Sequence, residues 1–251
     1  LLRLHRFDAE CLIRFYPIKL IRSQQHMSSS AFKALLCGLA VSISGKALAA
    51  QASWPDTPVG RLAALATVQD LSVQLLSQDS ATLTLEHWCA DHKLAEPAKI
   101  SAVRLKDTKT APDKVRHQLN VSASDPLGYR HVLLKCGDLV LSEADNWYVP
   151  DRLTTDMNQT LDTTDTPFGK VVLPLHFQRH TVSSQLIWQP LPEHWEMGQA
   201  ISPGHSTALD IPQTLITNEA VLTKPDGTPI SFVIENYKAA LLSFPPPAIA
   251  R

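Results

Sequence analysis

Two runs of alternating side chains, YRHVLLKC at 129–136 and DLVLSEADNWYV at 138–149, meet at Cys136-Gly137-Asp138. This feature restricts the fold most. In an extended chain, side chains two apart share a face, and two such runs joined by a tight polar turn make an antiparallel hairpin. A second hairpin is expected at 213–223 and 229–240, around Pro225-Asp226-Gly227. Further strands are expected near 100–106 and 177–188. No long helical pattern separates consecutive strands, which argues against parallel crossovers.

Helical spacing appears earlier. Leu62, Leu65, Val68, Leu71 and Leu75 recur at helical intervals across 59–77. A second helix is expected over 82–93, capped by Asp79 or Ser80, with Leu85, Trp88 and Cys89 on its apolar side. Short helices are expected at 112–119, opening on Pro112, and at 154–161 after Pro150. Pro167 and Gly169 punctuate a turn into Val171 and Val172, and 190–212 reads as a long loop over the surface or over a mouth. The fold class is therefore α+β: a single antiparallel β-sheet of about six strands with helices packed around it.

The first fifty residues read differently. From Met27, Lys33 supplies a positive start, ALLCGLAVSI at 34–43 an apolar run, and Ala47-Leu48-Ala49 a small-x-small cleavage pattern. That is the layout of a secretory signal peptide over 27–50. Residues 1–26 are then expected to be a non-native or disordered extension, and 51–251 a single exported domain, periplasmic or secreted. The alternative is an amphipathic or buried helix in a cytoplasmic protein. No apolar run reaches the roughly 18 residues of a membrane span, so no stable span is expected after cleavage.

Cys11 and Cys37 fall in the discarded part, which leaves Cys89 and Cys136. In an exported protein two cysteines allow one disulfide; equally, both can be small buried hydrophobes. Net charge is −1, so there is no bulk attraction to nucleic acid or an anionic membrane. No basic-aromatic array suggests nucleic acid, no glycine-rich phosphate loop follows a strand, and no cofactor is expected. His87, Cys89, Asp91 and His92 are metal-ligand types, but on a helix only His87 and Asp91 face the same way, and no metal site is expected.

Two side chains stand out. Arg130 shares a face with Val132, Leu134 and Cys136. A guanidinium among apolar neighbours must be paired, and its planar fork suits a carboxylate. The partner is either a protein Asp or Glu or the carboxylate of a ligand. Glu235 lies with Ser231, Val233 and Tyr237 opposite Ile230, Phe232 and Ile234, in a strand with apolar residues on both faces. A partly buried carboxyl group there can handle a proton or make a salt bridge.

YRHVLLKCGD, LSEADNWYVP, TPFGKVV and PISFVIENYK occur in that order. In this series the chain resembles the chorismate lyase family and its relatives, the ligand-sensing effector domains of GntR-type regulators. The resemblance covers most of 80–240. It implies a ligand enclosed between sheet and flaps, with Arg130 on the carboxylate of an aromatic product. Phe168 and Gly169 would form the turn that roofs the pocket, and Glu235 would meet the ring hydroxyl and the leaving enol-pyruvyl ether. Arg130 and Glu235 would be the catalytic pair. Asn146 stands where the family has a second arginine, with the bulk of Trp147 beside it, so a second carboxylate would lack its partner.

The resulting expectation is an exported domain that binds a small, carboxylated, aromatic molecule through Arg130, Asn146, Trp147, Phe168, Gly169 and Glu235. The alternatives are an active lyase forming 4-hydroxybenzoate and pyruvate from chorismate, and an envelope interaction protein without a pocket. Oligomeric state is open.

Overall fold

The computed structural model describes residues 53–248 apart from 203 and 205. The expected extension at 1–26 and the leader at 27–50 lie outside the described residues, as do Cys11 and Cys37. Two helices come first, α1 (Pro58–Ser77) and α2 (Ala81–Asp91). They are followed by β1 (Ile100–Leu105), α3 (Asp113–Gln118), β2 (Gly128–Cys136) and β3 (Leu139–Tyr148). Then come α4 (Thr155–Thr163), the one-turn α5 (Phe168–Val171), β4 (Gln178–Leu186), β5 (Thr214–Thr223) and β6 (Pro229–Lys238).

The helices start where local chemistry says they should. Thr57 caps α1 by accepting from Gly60 N, and Ser80 caps α2 by accepting from Leu83 N. Thr154 does the same for α4 through Met157 N. The Pro167–Gly169 stretch, expected as a plain turn, instead starts α5. Pro167 precedes the first helical residue and its carbonyl accepts from Lys170 N at 3.0 Å.

All six strands form one antiparallel sheet in the order β1-β2-β3-β6-β5-β4. The two hairpins read from the sequence, β2–β3 and β5–β6, meet through β3 and β6 at the centre. This position explains why β6 carries apolar residues on both faces. One face of the sheet packs against α1 and α2 through Leu71, Leu75, Leu85 and Trp88 above Val132, Leu134, Ala144 and Val233. Burial of each large aliphatic side chain here contributes about 1.5–3 kcal/mol. On the other face α3 supplies Val115 and Leu119 against Trp147, Val221 and Phe232.

Trp54 and Trp88 tie the chain end to the helices, donating their indole N–H to the carbonyls of Leu242 at 2.9 Å and Leu241 at 3.0 Å. A disulfide joins Cys89 to Cys136, with Cα atoms 6.3 Å apart. It pins α2 to the end of β2. The loop after β4 crosses the start of α1, where Leu209 N donates to Trp54 O at 2.7 Å and Asp56 N to Thr207 O at 3.4 Å. No helix among the described residues is long and apolar enough to cross a membrane.

Candidate ligand site

Between the sheet and the start of α2 lies a void of about 50 Å³. Its floor is the inner face of four strands: Val132 and Leu134, Ala144 and Asn146, Val233 and Glu235, and Leu222. Arg179 closes it from β4, Ser80 and Thr82 from the first turn of α2, and Phe168, Gly169 and Phe177 from above. A Cβ on Gly169 would stand 3.5 Å from both the Ser80 and Thr82 hydroxyls, so α5 lies directly against the α2 start. The first amides of a helix have no partner within it, and the helix dipole makes that end mildly positive. A broader surface groove of about 640 Å³ shares Asp79, Ser80 and Phe177 with the void and continues past Leu83, His87, Leu173, Pro174 and His176.

The polar end of the void is a buried ion pair. Arg179 Nη2 donates to Glu235 Oε2 at 2.5 Å, with both side chains less than a tenth exposed. Tyr237 Oη donates to the same oxygen at 2.8 Å. Glu235 Oε1 receives no hydrogen bond from the described residues. Burial alone would lower the Arg179 guanidinium, but the Glu235 charge and hydrogen bond, together with Tyr237 and Asp79, outweigh it and raise it. Burial and then the Glu235 charge push the Tyr237 phenol well up. Arg179 Nε is buried with no partner among the described residues. Asn146 accepts from Ser231 Oγ, and its amide nitrogen has no acceptor among the described residues. Around the void, Arg179 Nε and the Asn146 amide nitrogen are thus without partners among the described residues, and so is one oxygen of Glu235.

Arg130 needs a correction. It is buried, on the expected face, opposite Asn146 in the β2–β3 register. Its guanidinium does not line the void. It donates to the carbonyl oxygens of Leu161, Thr164 (3.4 Å) and Thr166 (3.0 Å), at and beyond the end of α4. Arg104 joins it there, donating to Leu161 O at 3.3 Å and Asp162 O at 3.1 Å. The last carbonyls of a helix lack partners and carry its negative pole, so backbone oxygens take the place reserved for a carboxylate. Burial, and then the neighbouring Arg104 charge, lower the Arg130 guanidinium.

Trp147 needs another. It points away from the void, into the cluster under α3, with its Nε1 donating to Lys109 O at 3.2 Å. Alternation along β3 forces this, because Asn146 faces inward. Among the expected ligand-binding residues, Asn146, Phe168, Gly169 and Glu235 come together around the void; Arg130 and Trp147 do not join them. Of the metal-ligand types on α2, Cys89 is committed to the disulfide and His92 stacks on Phe244.

Sequence reasoning missed Arg179. It sits in a strand whose neighbours are mostly polar and exposed, and only the register, with Leu222 opposite, turns it inward. Ser80 was legible as a cap, though not as a wall of the site.

Over 204 residues the chain is 47% identical to the uncharacterized protein y4mC of Sinorhizobium fredii, covering 80% of this chain and 86% of that one. The chain belongs to the y4mC family. No family model matches its sequence. Among solved structures, the effector domain of PhnF from Mycobacterium smegmatis aligns with a TM-score of 0.41 and 11% identity, over 64% of the y4mC-family chain and 89% of the domain. The C-terminal domain of the histidine utilization repressor from Pseudomonas syringae gives 0.38 and 8%, over 61% and 98%. The possible transcriptional regulator YydK from Bacillus subtilis gives 0.35 and 11%, and the y4mC-family chain spans 62% of its length. Scores of this size mark a loose likeness of layout.

Proposed function

We propose that the domain is exported and binds a small carboxylated molecule. Its carboxylate would sit at the start of α2 beside Arg179, and its apolar body would leave past Phe168 and Phe177 into the surface groove. One observation carries the reading: a buried guanidinium with an unpartnered Nε stands in the wall of a void that also faces a helix start. Donors left unmade in a buried site cost about 1–3 kcal/mol each, and a carboxylate accepts several at once.

Size and charge both constrain the ligand. A void of about 50 Å³ is a third of the about 150 Å³ that admits benzene, so it takes the carboxylate and not the ring. Arg179 already faces Glu235, and Asp79 accepts from Arg179 N at 2.9 Å, so formal charge does not favour an anion. Donor count does. Glu235 Oε1, the spare acceptor, suits a hydroxyl on the same molecule.

A binding role has more support than a lyase role. Glu235 Oε2 is already held by Arg179 and Tyr237, and position 146 carries no second arginine. Export is supported by the leader-like pattern at 27–50 and by the disulfide, a bond typical of oxidising compartments. N-terminal sequencing of the chain from separated cell fractions tests it.

Calorimetric titration with 4-hydroxybenzoate and with its primary amide tests the binding. The acid is expected to bind at least tenfold more tightly than the amide, and Gly169→Leu, which fills the wall against Ser80 and Thr82, is expected to abolish the heat. Equal affinity for acid and amide would remove the carboxylate from the reading. Silence with a panel of small hydroxy acids would favour an interaction domain without a ligand. Pyruvate release from chorismate would restore the lyase.

A further inference from the structure

The walls of the void do not suit a plain anion. One guanidinium, Arg179, stands among them with two carboxyl side chains, Glu235 and Asp79. Glu235 uses one oxygen on Arg179 Nη2 and Tyr237 Oη, and Asp79 uses one on Arg179 N at 2.9 Å. The second oxygen of each accepts no hydrogen bond among the described residues. Beside them, Arg179 Nε is a buried donor without a partner and the Asn146 amide nitrogen has no acceptor. Unmatched donors and unmatched carboxylate oxygens therefore line one small space. The donors call for a carboxylate. Two carboxylate oxygens on different residues call for a group that donates to both, and an ammonium does so with charge assistance. A lone carboxylate would instead add a third acid to a single guanidinium, and like charges close together oppose one another.

Volume sets how far apart the two ligand groups stand. A buried water needs roughly 10–15 Å³ of such space, so a void of about 50 Å³ holds roughly four groups of that size. That is room for a carboxylate, the carbon bearing it and one nitrogen. The ammonium is therefore on the carbon next to the carboxylate. The rest of the molecule leaves past Phe168 and Phe177 into the groove, whose apolar walls are Leu83, Leu173 and Pro174. Asp79 lines both spaces and is exposed, which places it at their junction.

We infer that the ligand is a free α-amino acid with an apolar or aromatic side chain. Its carboxylate accepts from Arg179 Nε and the Asn146 amide, and its ammonium donates to Glu235 Oε1 and Asp79. The inference rests on the carboxylate reading above and adds the ammonium to it.

The test is calorimetric titration with L-phenylalanine, 3-phenylpropionate, 3-phenyllactate and phenylalaninamide. L-phenylalanine is expected to bind about tenfold or more tighter than each of the others. Equal affinity for 3-phenylpropionate or 3-phenyllactate would overturn the ammonium and leave the carboxylate standing. Equal affinity for phenylalaninamide would overturn the carboxylate, and the inference with it. A thermal-shift series with the standard amino acids covers other side chains; silence throughout, with 4-hydroxybenzoate still binding, would overturn the inference alone. Asp79→Asn changes an exposed residue, and its side-chain oxygen can still accept from Arg179 N. It is expected to weaken the amino acid about tenfold while 3-phenylpropionate binds as tightly as before or more tightly. The same loss for both compounds would overturn the ammonium contact.

Discussion

Arg179 and Glu235 illustrate how little a residue's type says about its surroundings. Each is of a charged type, each is nearly sealed from water, and each has the other as its ion-pair partner. Removing one leaves an uncompensated buried charge, which costs about 3–5 kcal/mol. Replacing both by well-packed apolar residues is often close to neutral. Arg179→Met is therefore expected to lower urea stability by about that amount, and Arg179→Met/Glu235→Leu to recover most of it. A double variant as unstable as the single one would mean that the pair is not coupled. His131, on the outer face, is a smaller case. Its ring nitrogens meet Asp107 at 2.7 Å and Glu143 at 2.9 Å, and Glu143 is held in turn by Lys238 at 2.7 Å. Burial opposes the charged ring, but the two carboxylate bonds outweigh it and the imidazole is raised. A group raised on folding stabilises fully below its unfolded value, about 6.5, and the gain fades as pH climbs through the folded one. His131→Gln is accordingly expected to cost stability near pH 6 and much less in alkaline buffer. A penalty independent of pH would show that the ring acts by packing alone. Residues of this kind divide by how far their partners lie. Ser80 was readable as a cap because its partner is three residues away. Arg130 was readable as buried and paired, but its partners lie some thirty residues on and are backbone carbonyls, which no side-chain type announces even with Asp162 and Asp165 in the same segment. Trp147 was misplaced, although strict alternation beside Asn146 already put it on the opposite face.

At the scale of elements, both hairpins were legible because each carries its own turn and its own alternation. α1 and α2 were legible from spacing and caps. The stretch that opened into α4 and α5 was legible in its punctuation only. What fixes it is remote: two guanidinium groups from β1 and β2 grip the end of α4, and Lys170 on α5 reaches Glu86 on α2 at 2.6 Å. Arg130→Met should free the Thr164 and Thr166 carbonyls and leave Leu161 O to Arg104. It is expected to cost about 2–3 kcal/mol and to raise amide exchange over 161–172 ahead of the sheet. Uniform exchange, with α4 and α5 as protected as before, would show that the grip contributes nothing local.

For the molecule as a whole, six strands in one antiparallel sheet follow from sequence patterns, but their order does not. Hairpins give β2 beside β3 and β5 beside β6; that β3 lies beside β6, and that β4 forms one edge, rests on long-range pairing. The site inherits this, since its walls come from α2, five strands and α5. The Cys89–Cys136 bridge closes a separation of 47 residues across that assembly. Loop-closure entropy assigns such a bridge about 4 kcal/mol. Cys89→Ala/Cys136→Ala is expected to unfold in urea at a correspondingly lower midpoint. An unchanged midpoint would mean that the reduced chain is already held in place by its core.

The roof of the void hangs from Arg130 by main-chain oxygens. Every residue from 161 to 166 presents the same carbonyl whatever side chain it carries. Within the family, that strap is therefore free to drift in sequence, while Arg130 and Arg104, the two basic side chains that suspend it, have no such latitude.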